Sequence, residues 1–590
     1  MLRIVSDGTG PDNHSRGRCA TCHGKHTLCA TGIGRQVSHM AFISRLQTTL
    51  LGGAIVLTVA LPAQSAPSRT GGSRPGIDVL QYAFRVEFPA TATPDTIRFV
   101  AVTTAKRAPS ASTFRLDLAA AMHVDSVHLD ARPVPFTRSG DSIGVSLGAA
   151  RDTVRVAVYY HGKPTDGLII RRDSSGTWTA FGDNFPDRAR QWLAVVDHPS
   201  DKALVSWDVL APATHRVIAN GALIGETPQT SPSAAPMVRT RWETVRPIYT
   251  AVMVIGVAPF SVVELGDTAC GLGELPGCVR QSVWTSQAQR AVLPGNFARA
   301  GEIVTLFTRF AGPFPYEKLA HVASSTRYGG MENAGAIFYA DNLFRPGSPS
   351  ERLIAHETAH QWFGDAVTER EWPHVWLSEG FATYFEVLWS EHAHGDSARR
   401  ADLVAMRAQV LRAAVTNTKP VIDDGLDDLG RVLNSNVYQK AGFVLHMLRR
   451  EVGDSAFFRG IRSYYAAHRH SNAMTSDFQR EIERSSGQKL DWFFTQWLER
   501  PGTADLRVSW RYDAARRRVV VSAEQGTRFP PYRLLLTVDV TDADGRLRRT
   551  LITVPAQARS TITLPEAMST APRKVVFDAD AGVLGTLTAP

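Results

Sequence analysis

The sequence predicts a multidomain α+β protein, on three observations. Its 590 residues exceed what one hydrophobic core normally holds, so about three domains are expected. The hydrophobic pattern changes period twice: strand-like alternation runs from residue 77 to about 265, helical spacing from about 287 to 498, and alternation returns from 506 to the C-terminus. Hydrophobic residues make up 44% and charged residues 21% of the chain, the balance of a folded globular protein.

The leader comes first. From Met40 the chain reads MAFISRLQTTLLGGAIVLTVALPAQS, with Arg45 ahead of an apolar run from Leu50 to Leu61 and small Ala63 and Ser65 at its end. This is the pattern of a secretory signal peptide at 40–65, and the run is short for a membrane span. An uncleaved N-terminal anchor is the alternative; otherwise no stable membrane insertion is expected. Residues 1–39 would then stand upstream of the export signal, so they are read as a doubtful extension with Met40 as the true start. They include CATCH at Cys19–His23, a haem-attachment pattern, with Cys29, His14 and His26 close enough for a zinc-like cluster. Cleavage would remove all of these. Cys270 and Cys278 would remain, in CGLGELPGC, whose glycines and proline make a compact loop. An exported protein can close such a loop with a disulfide, and two free thiols are the other reading. A periplasmic or secreted location is expected.

Residues 66–76 read as a linker. Leu80, Tyr82, Phe84, Val86 and Phe88 then alternate, as do Val154, Val156, Val158 and Tyr160, so 77–265 is expected to be a β-rich domain. Residues 266–504 carry short β-like stretches near 319–325 and then helices almost throughout, with a Thr or Ser cap expected in TSDF at 475–478. After Arg500–Gly502, the alternation of Leu506, Val508, Trp510 and Tyr512 opens a small β-sandwich at 505–590. The net charge of +9 includes six basic and two acidic residues in 1–65. No dense basic run or basic–aromatic stripe occurs, which argues against a nucleic-acid partner.

Chemistry concentrates in HETAHQWFGD at 356–365. Residues four apart share a helix face, so His356 and His360 can both address one ion, with Glu357 beside it to take a proton from bound water. Two surface histidines on a helix are the plain alternative. A catalytic zinc needs a third protein ligand and an open position. In VWLSEGFATYFE at 375–386, Glu379 follows His360 after 18 intervening residues, a gap that suits a second helix returning beside the first. HExxH-x18-E is far more specific than HExxH alone.

At this point the chain resembles the aminopeptidase N family, zinc exopeptidases that include alanyl aminopeptidases and leukotriene hydrolase. The resemblance runs from about 77 to 505 and rests on GGMENAG at 329–335, HETAHQWFG at 356–364, WLSEGFATYFE at 376–386 and YQKAGFVLHML at 438–448, with ARQWLAVVDHPSDKA at 189–203 in the β domain. It implies an N-terminal β-saddle domain, a mostly α thermolysin-like catalytic domain and the small C-terminal β-sandwich. It implies one zinc per chain, held by His356, His360 and Glu379. Glu357 would be the general base and Tyr438 the donor to the oxyanion. Glu332 would bind the free α-ammonium of a peptide substrate, with Gly329, Gly330, Met331 and Asn333 completing the binding loop. The plain alternatives are a polar turn for Glu332 and Asn333, and a core aromatic for Tyr438. Glu386 is open between orienting a zinc-bound histidine and being a solvated acid, and His374 is read as structural. The family usually has Asn where this chain has Ser378. It often has a Gln and an acid near FGDNFPDRAR, where only Asp183 and Asn184 stand here, so a second amine contact is in doubt. The long C-terminal helical domain of larger members has no counterpart, which implies a more open cleft. An endopeptidase and a non-catalytic scaffold are the competing functions.

Overall fold

The alternation that begins at residue 77 folds as the strand Ile77–Glu87, the centre of a nine-stranded sheet. It pairs antiparallel with Ile97–Arg107 and parallel with Lys202–Pro212. Tyr82, Phe84, Val86 and Phe88 are buried as the alternation requires, but at the start of the strand it is Val79 that is buried, not Leu80. The register shifts between Val79 and Gln81, and a bulge of this kind turns the preceding residue onto the other face. The computed structural model describes residues 74–589, except 91–95, 149–150, 173–175, 231–234, 292, 346–347 and 349. The expected signal peptide, the CATCH segment and most of the linker lie outside the described residues.

The β domain adds a three-stranded sheet (Thr113–Asp117, Phe136–Ser139, Ser142–Ser146) and a four-stranded sheet (Leu168–Arg172, Trp178–Gly182, Arg216–Ala219, Ile255–Ala258). The strand Ser261–Thr268 spans the boundary expected at 265. It pairs with Val279–Thr285 in a mixed five-stranded sheet with Leu319–Ser324, Ala336–Ala340 and the short edge strand Gly330–Met331. Leu319–Ser324 is buried at every position, as an inner strand covered on both faces must be. The loop between the first two strands is closed by a disulfide between Cys270 and Cys278.

Helices α1 (Ala300–Ala311), α2 (Glu351–His360), α3 (Trp376–His394), α4 (Asp396–Ala413), α5 (Ala441–Val452), α6 (Asp454–His468) and α7 (Thr475–Ser486) form the rest of the central domain. The cap of α7 is not the expected hydroxyl: Asp477 Oδ2 accepts from the Met474 N–H at 2.9 Å. Thr475 Oγ1 instead accepts from Trp376 Nε1 at 2.9 Å and meets His374 Nδ1 at 2.8 Å, which gives His374 a structural place. Two small sheets follow, a four-stranded one built on Ala504–Asp513 and Arg518–Gln525 and a three-stranded one built on Leu534–Thr541 and Leu547–Val554. The molecule is thus a multidomain α+β protein. Among the described residues, no helix is long and apolar enough to cross a membrane.

Candidate metal centre and amine site

Helix α2 starts where Ser350 Oγ accepts from the Leu353 N–H at 3.3 Å, which satisfies one of the free donors of the first turn. Its last turn carries His356, Glu357 and His360, all buried. Helix α3 packs against it and brings Glu379, also buried. A Cβ on Gly380 would lie 2.7 Å from Ala441 Cβ. Glycine therefore lets α3 and α5 approach closely, next to the π-helical turn Asn436–Lys440 that presents Tyr438. Tyr438 donates to Glu379 Oε1 at 2.8 Å.

The three ligand atoms face one another. His356 Nε2 and His360 Nε2 are 3.1 Å apart, and Glu379 Oε2 lies 3.4 and 3.3 Å from them. A tetrahedral zinc with bonds of roughly 2.0–2.1 Å separates its ligands by about 3.3 Å. His356 Nδ1 lies 2.7 Å from Glu386 Oε1, and His360 Nδ1 lies 3.1 Å from the Phe363 carbonyl. Both of those oxygens can only accept, so each Nδ1 carries the hydrogen and each Nε2 presents its lone pair. Glu379 Oε2 is buried without a hydrogen-bond partner. Two ring nitrogens and a carboxylate oxygen converging in a buried space need positive charge between them, from ring protons or from a metal ion, and these residues fit zinc. Burial works against charge on both rings, yet the surrounding carboxylates raise His356 well above the usual histidine range and His360 to about 9. Burial likewise opposes ionisation of Glu379, but His360 and His356 outweigh it and hold the carboxyl down at about 2. The centre favours positive charge within it.

Glu386 thus touches a ligand histidine and is not a solvated acid; its Oε2 accepts from Arg352 at 3.0 and 3.2 Å. Ser378 Oγ sits 2.9 Å from His360 Nδ1, so the serine found in place of the usual asparagine also meets a ligand ring.

Glu357 packs against the edge strand: a Cβ on Gly330 would fall 2.1 Å from Glu357 Oε1, so only glycine fits there. Gly329 has open space at its Cβ position and faces the cleft. Oxygens of Glu332 and Glu357 and a ring nitrogen of His360 lie within 4.8 Å of one another. Burial raises both acids above the usual range; the nearby histidines oppose the rise and the neighbouring carboxylates add to it. Gly329, Gly330, Met331 and Glu332 line a cleft of about 440 Å³ with Glu357, His356, His360, Glu379 and Tyr438. Asn333 does not reach it; its side chain is wholly buried in the turn behind.

Nor does a second amine contact come from Asp183 or Asn184. Asp183 is buried between Arg188 and Arg327 at 3.0 and 3.3 Å. Asn184 donates to the carbonyls of Thr250 and Met253 and accepts from Trp192 Nε1. The β domain instead places Phe185 in the cleft wall beside Tyr328. Phe185, Tyr328, Arg352 and Gln361 were not singled out from the sequence; only the position of Gln361, directly after a ligand, offered a signal.

Fold and site together define a multidomain protein with a two-histidine, one-glutamate metal centre facing a buried acid. Residues 299–497 match the peptidase family M1 domain. It is 27% identical over 409 residues to the tricorn protease-interacting factor F2 of Thermoplasma acidophilum, covering 65% of this chain and 48% of that protein. It is 33% identical over 224 residues to an aminopeptidase N of Streptomyces lividans, covering 35% of this chain and 26% of the relative. The chain therefore spans half or less of the length of these relatives. An M1 zinc metallopeptidase variant from Deinococcus radiodurans, solved with a Tyr-Ser-Ala substrate, superposes with a TM-score of 0.62 at 25% identity, covering 72% of this chain and 94% of that one.

Proposed function

We propose that the protein is a zinc-dependent aminopeptidase that removes single residues from the free N-terminus of peptides. The observation that carries this reading is the buried Glu332 carboxylate facing the metal centre across one cleft. A fixed anion beside the metal pairs with an α-ammonium and counts off one residue, whereas an internal peptide bond offers no charge to meet it. The names of the relatives and the peptide bound to the Deinococcus enzyme support the same substrate class.

Zinc, when bound, lowers the pKa of its water and polarises the scissile carbonyl. The chain's own residues do the rest. Glu357 accepts the proton of the attacking water and returns it to the leaving amine. Tyr438, whose hydroxyl rests on Glu379, turns to donate to the carbonyl oxygen as that oxygen gains charge. Glu386 and the Phe363 carbonyl hold the two rings in the tautomer that binds metal. Glu332 fixes the amine, and with it the distance to the bond that breaks.

The test is a panel of aminoacyl-coumarins with and without chelator, together with one short peptide in free and N-acetylated forms. Much faster cleavage of the free form than of the acetylated one, with both rates lost to chelator, is expected. Equal rates on the two forms would leave an endopeptidase, and no cleavage by zinc-loaded protein a non-catalytic scaffold.

We also propose export, on the leader at 40–65 and the Cys270–Cys278 disulfide. N-terminal sequencing of the protein from fractionated cells tests this, and a cytoplasmic protein starting at or before Met40 contradicts it.

A further inference from the structure

The spacing between amine site and metal must be held by something, because Glu332 lies on a loop and the metal ligands on helices. Gln361 directly follows the ligand His360 and is wholly buried. Its Nε2 donates to the Glu332 carbonyl at 2.8 Å and to Asp365 Oδ2 at 2.9 Å. Its Oε1 accepts from the Gly335 N–H at 2.8 Å. One side-chain amide therefore pins both ends of the Glu332–Gly335 turn to the end of α2. The amide has a single workable orientation. Flipped, its oxygen would face the Glu332 carbonyl and the Asp365 carboxylate, and its NH₂ would face the Gly335 N–H, losing all three bonds. Asp365 is itself anchored, since Lys202 from the β domain donates to the carbonyls of Asp365 and Ala366 at 2.8 Å each.

We propose that Gln361 is a positioning residue that sets the distance between the amine-binding Glu332 and the metal centre. It touches neither metal nor substrate; it acts through the backbone of Glu332. The inference rests on the aminopeptidase reading and adds to it the residue that measures the single-residue step. The turn keeps other ties when Gln361 is replaced, because Asn220 Nδ2 donates to the Ala334 carbonyl at 2.9 Å and the Ala320 N–H donates to the Gly335 carbonyl at 3.1 Å. The loop should therefore shift rather than unfold.

Gln361→Met retains length and removes all three bonds; Gln361→Glu retains the acceptor toward Gly335 and removes the donors. In both, zinc content should stay at one per chain. For a matched short peptide, kcat/KM on the free-amine form should fall by about ten- to hundredfold, chiefly through KM, since a displacement of about 1 Å has that effect. The N-acetylated form, which does not use Glu332, should change little, so the ratio of free to acetylated rates should shrink. Calorimetric binding of L-leucine, which is not turned over, should weaken in parallel. A residue that only stabilises the fold would lower both rates together and leave the ratio intact, and that result overturns the proposal. Failure of both variants to fold overturns it as well, because Gln361 would then be a folding residue. Equal rates on the two peptides in the native protein would instead overturn the aminopeptidase reading itself.

Discussion

Glu386 Oε1 lies 2.7 Å from His356 Nδ1, while Arg352 holds its other oxygen. The pair orients a metal-binding ring from behind, and such partners typically contribute about 10–100-fold in affinity. Glu386→Ala should weaken zinc binding by about that factor, read by competition with a chelator of known affinity. Unchanged affinity would show that the contact does not serve the metal.

In the proposed mechanism Glu357 is a base beside the ligands and not one of them. Glu357→Gln should keep its zinc and lose turnover by about 10²–10⁴-fold, the usual contribution of general-base catalysis. Tyr438→Phe should lower kcat more than it raises KM, because its hydrogen bond strengthens as charge develops. Metal analysis with steady-state kinetics separates these outcomes, and near-normal kcat in the first variant contradicts the assigned role.

Glu332 separates an aminopeptidase from an endopeptidase. A charge-assisted hydrogen bond to the α-ammonium in a shielded cleft is worth roughly 1.5–3 kcal/mol. Glu332→Ala should reduce kcat/KM on free-amine peptides by about 10–150-fold on that scale, leave zinc in place, and narrow the gap to the acetylated peptide. A gap of unchanged width would remove Glu332 from the amine site.

The Cys270–Cys278 loop carries Glu274, whose carboxylate meets His470 at 2.7 Å, Arg469 at 3.1 Å and Arg246 at 3.4 Å. The loop thereby ties the end of α6 to the β domain. Opening the disulfide by Cys270→Ser with Cys278→Ser should cost about 2–3 kcal/mol, the loop-entropy value for a ring this small. Denaturant unfolding measures the loss, while zinc content should not change.

His321 is wholly buried between Tyr339 and Gln281, and burial lowers its pKa to about 3. Its unfolded value is about 6.5, so between these values the unfolded chain binds the extra proton. This contribution is full above about pH 6.5 and is lost as pH falls toward 3. It amounts to about 2 kcal/mol between pH 7 and pH 5. His321→Gln should flatten the decline in stability over that interval. An unchanged slope would show that His321 does not titrate on unfolding.

Local features were legible in the sequence. His356, Glu357 and His360 share a helical turn, and helix period alone places them on one side. The alternation from residue 77 was right in kind, and only the bulge after Val79 moved its first buried position. A bulge depends on how the partner strand pairs, which no run of residues in one strand displays. The cap of α7 went to Asp477 because Thr475 was claimed by Trp376 and His374, about a hundred positions away.

What the sequence determined by itself is the set of chemical groups and the short-range spacing that keeps them together: a helix with two histidines and a glutamate, a further carboxylate after 18 intervening residues, an acid in a glycine-bordered loop. What only the tertiary structure decided is which polar groups are left for function once the rest have found partners. Asp183 is neutralised by Arg188 and Arg327 and lost to the amine site, while Glu386 is turned inward onto His356. Gln361 became the link between loop and helix. The physical reason is that a buried polar group must be paired. Its partner is chosen by the approach of segments far apart in the chain, at distances of a few ångströms, which periodicity and composition do not carry.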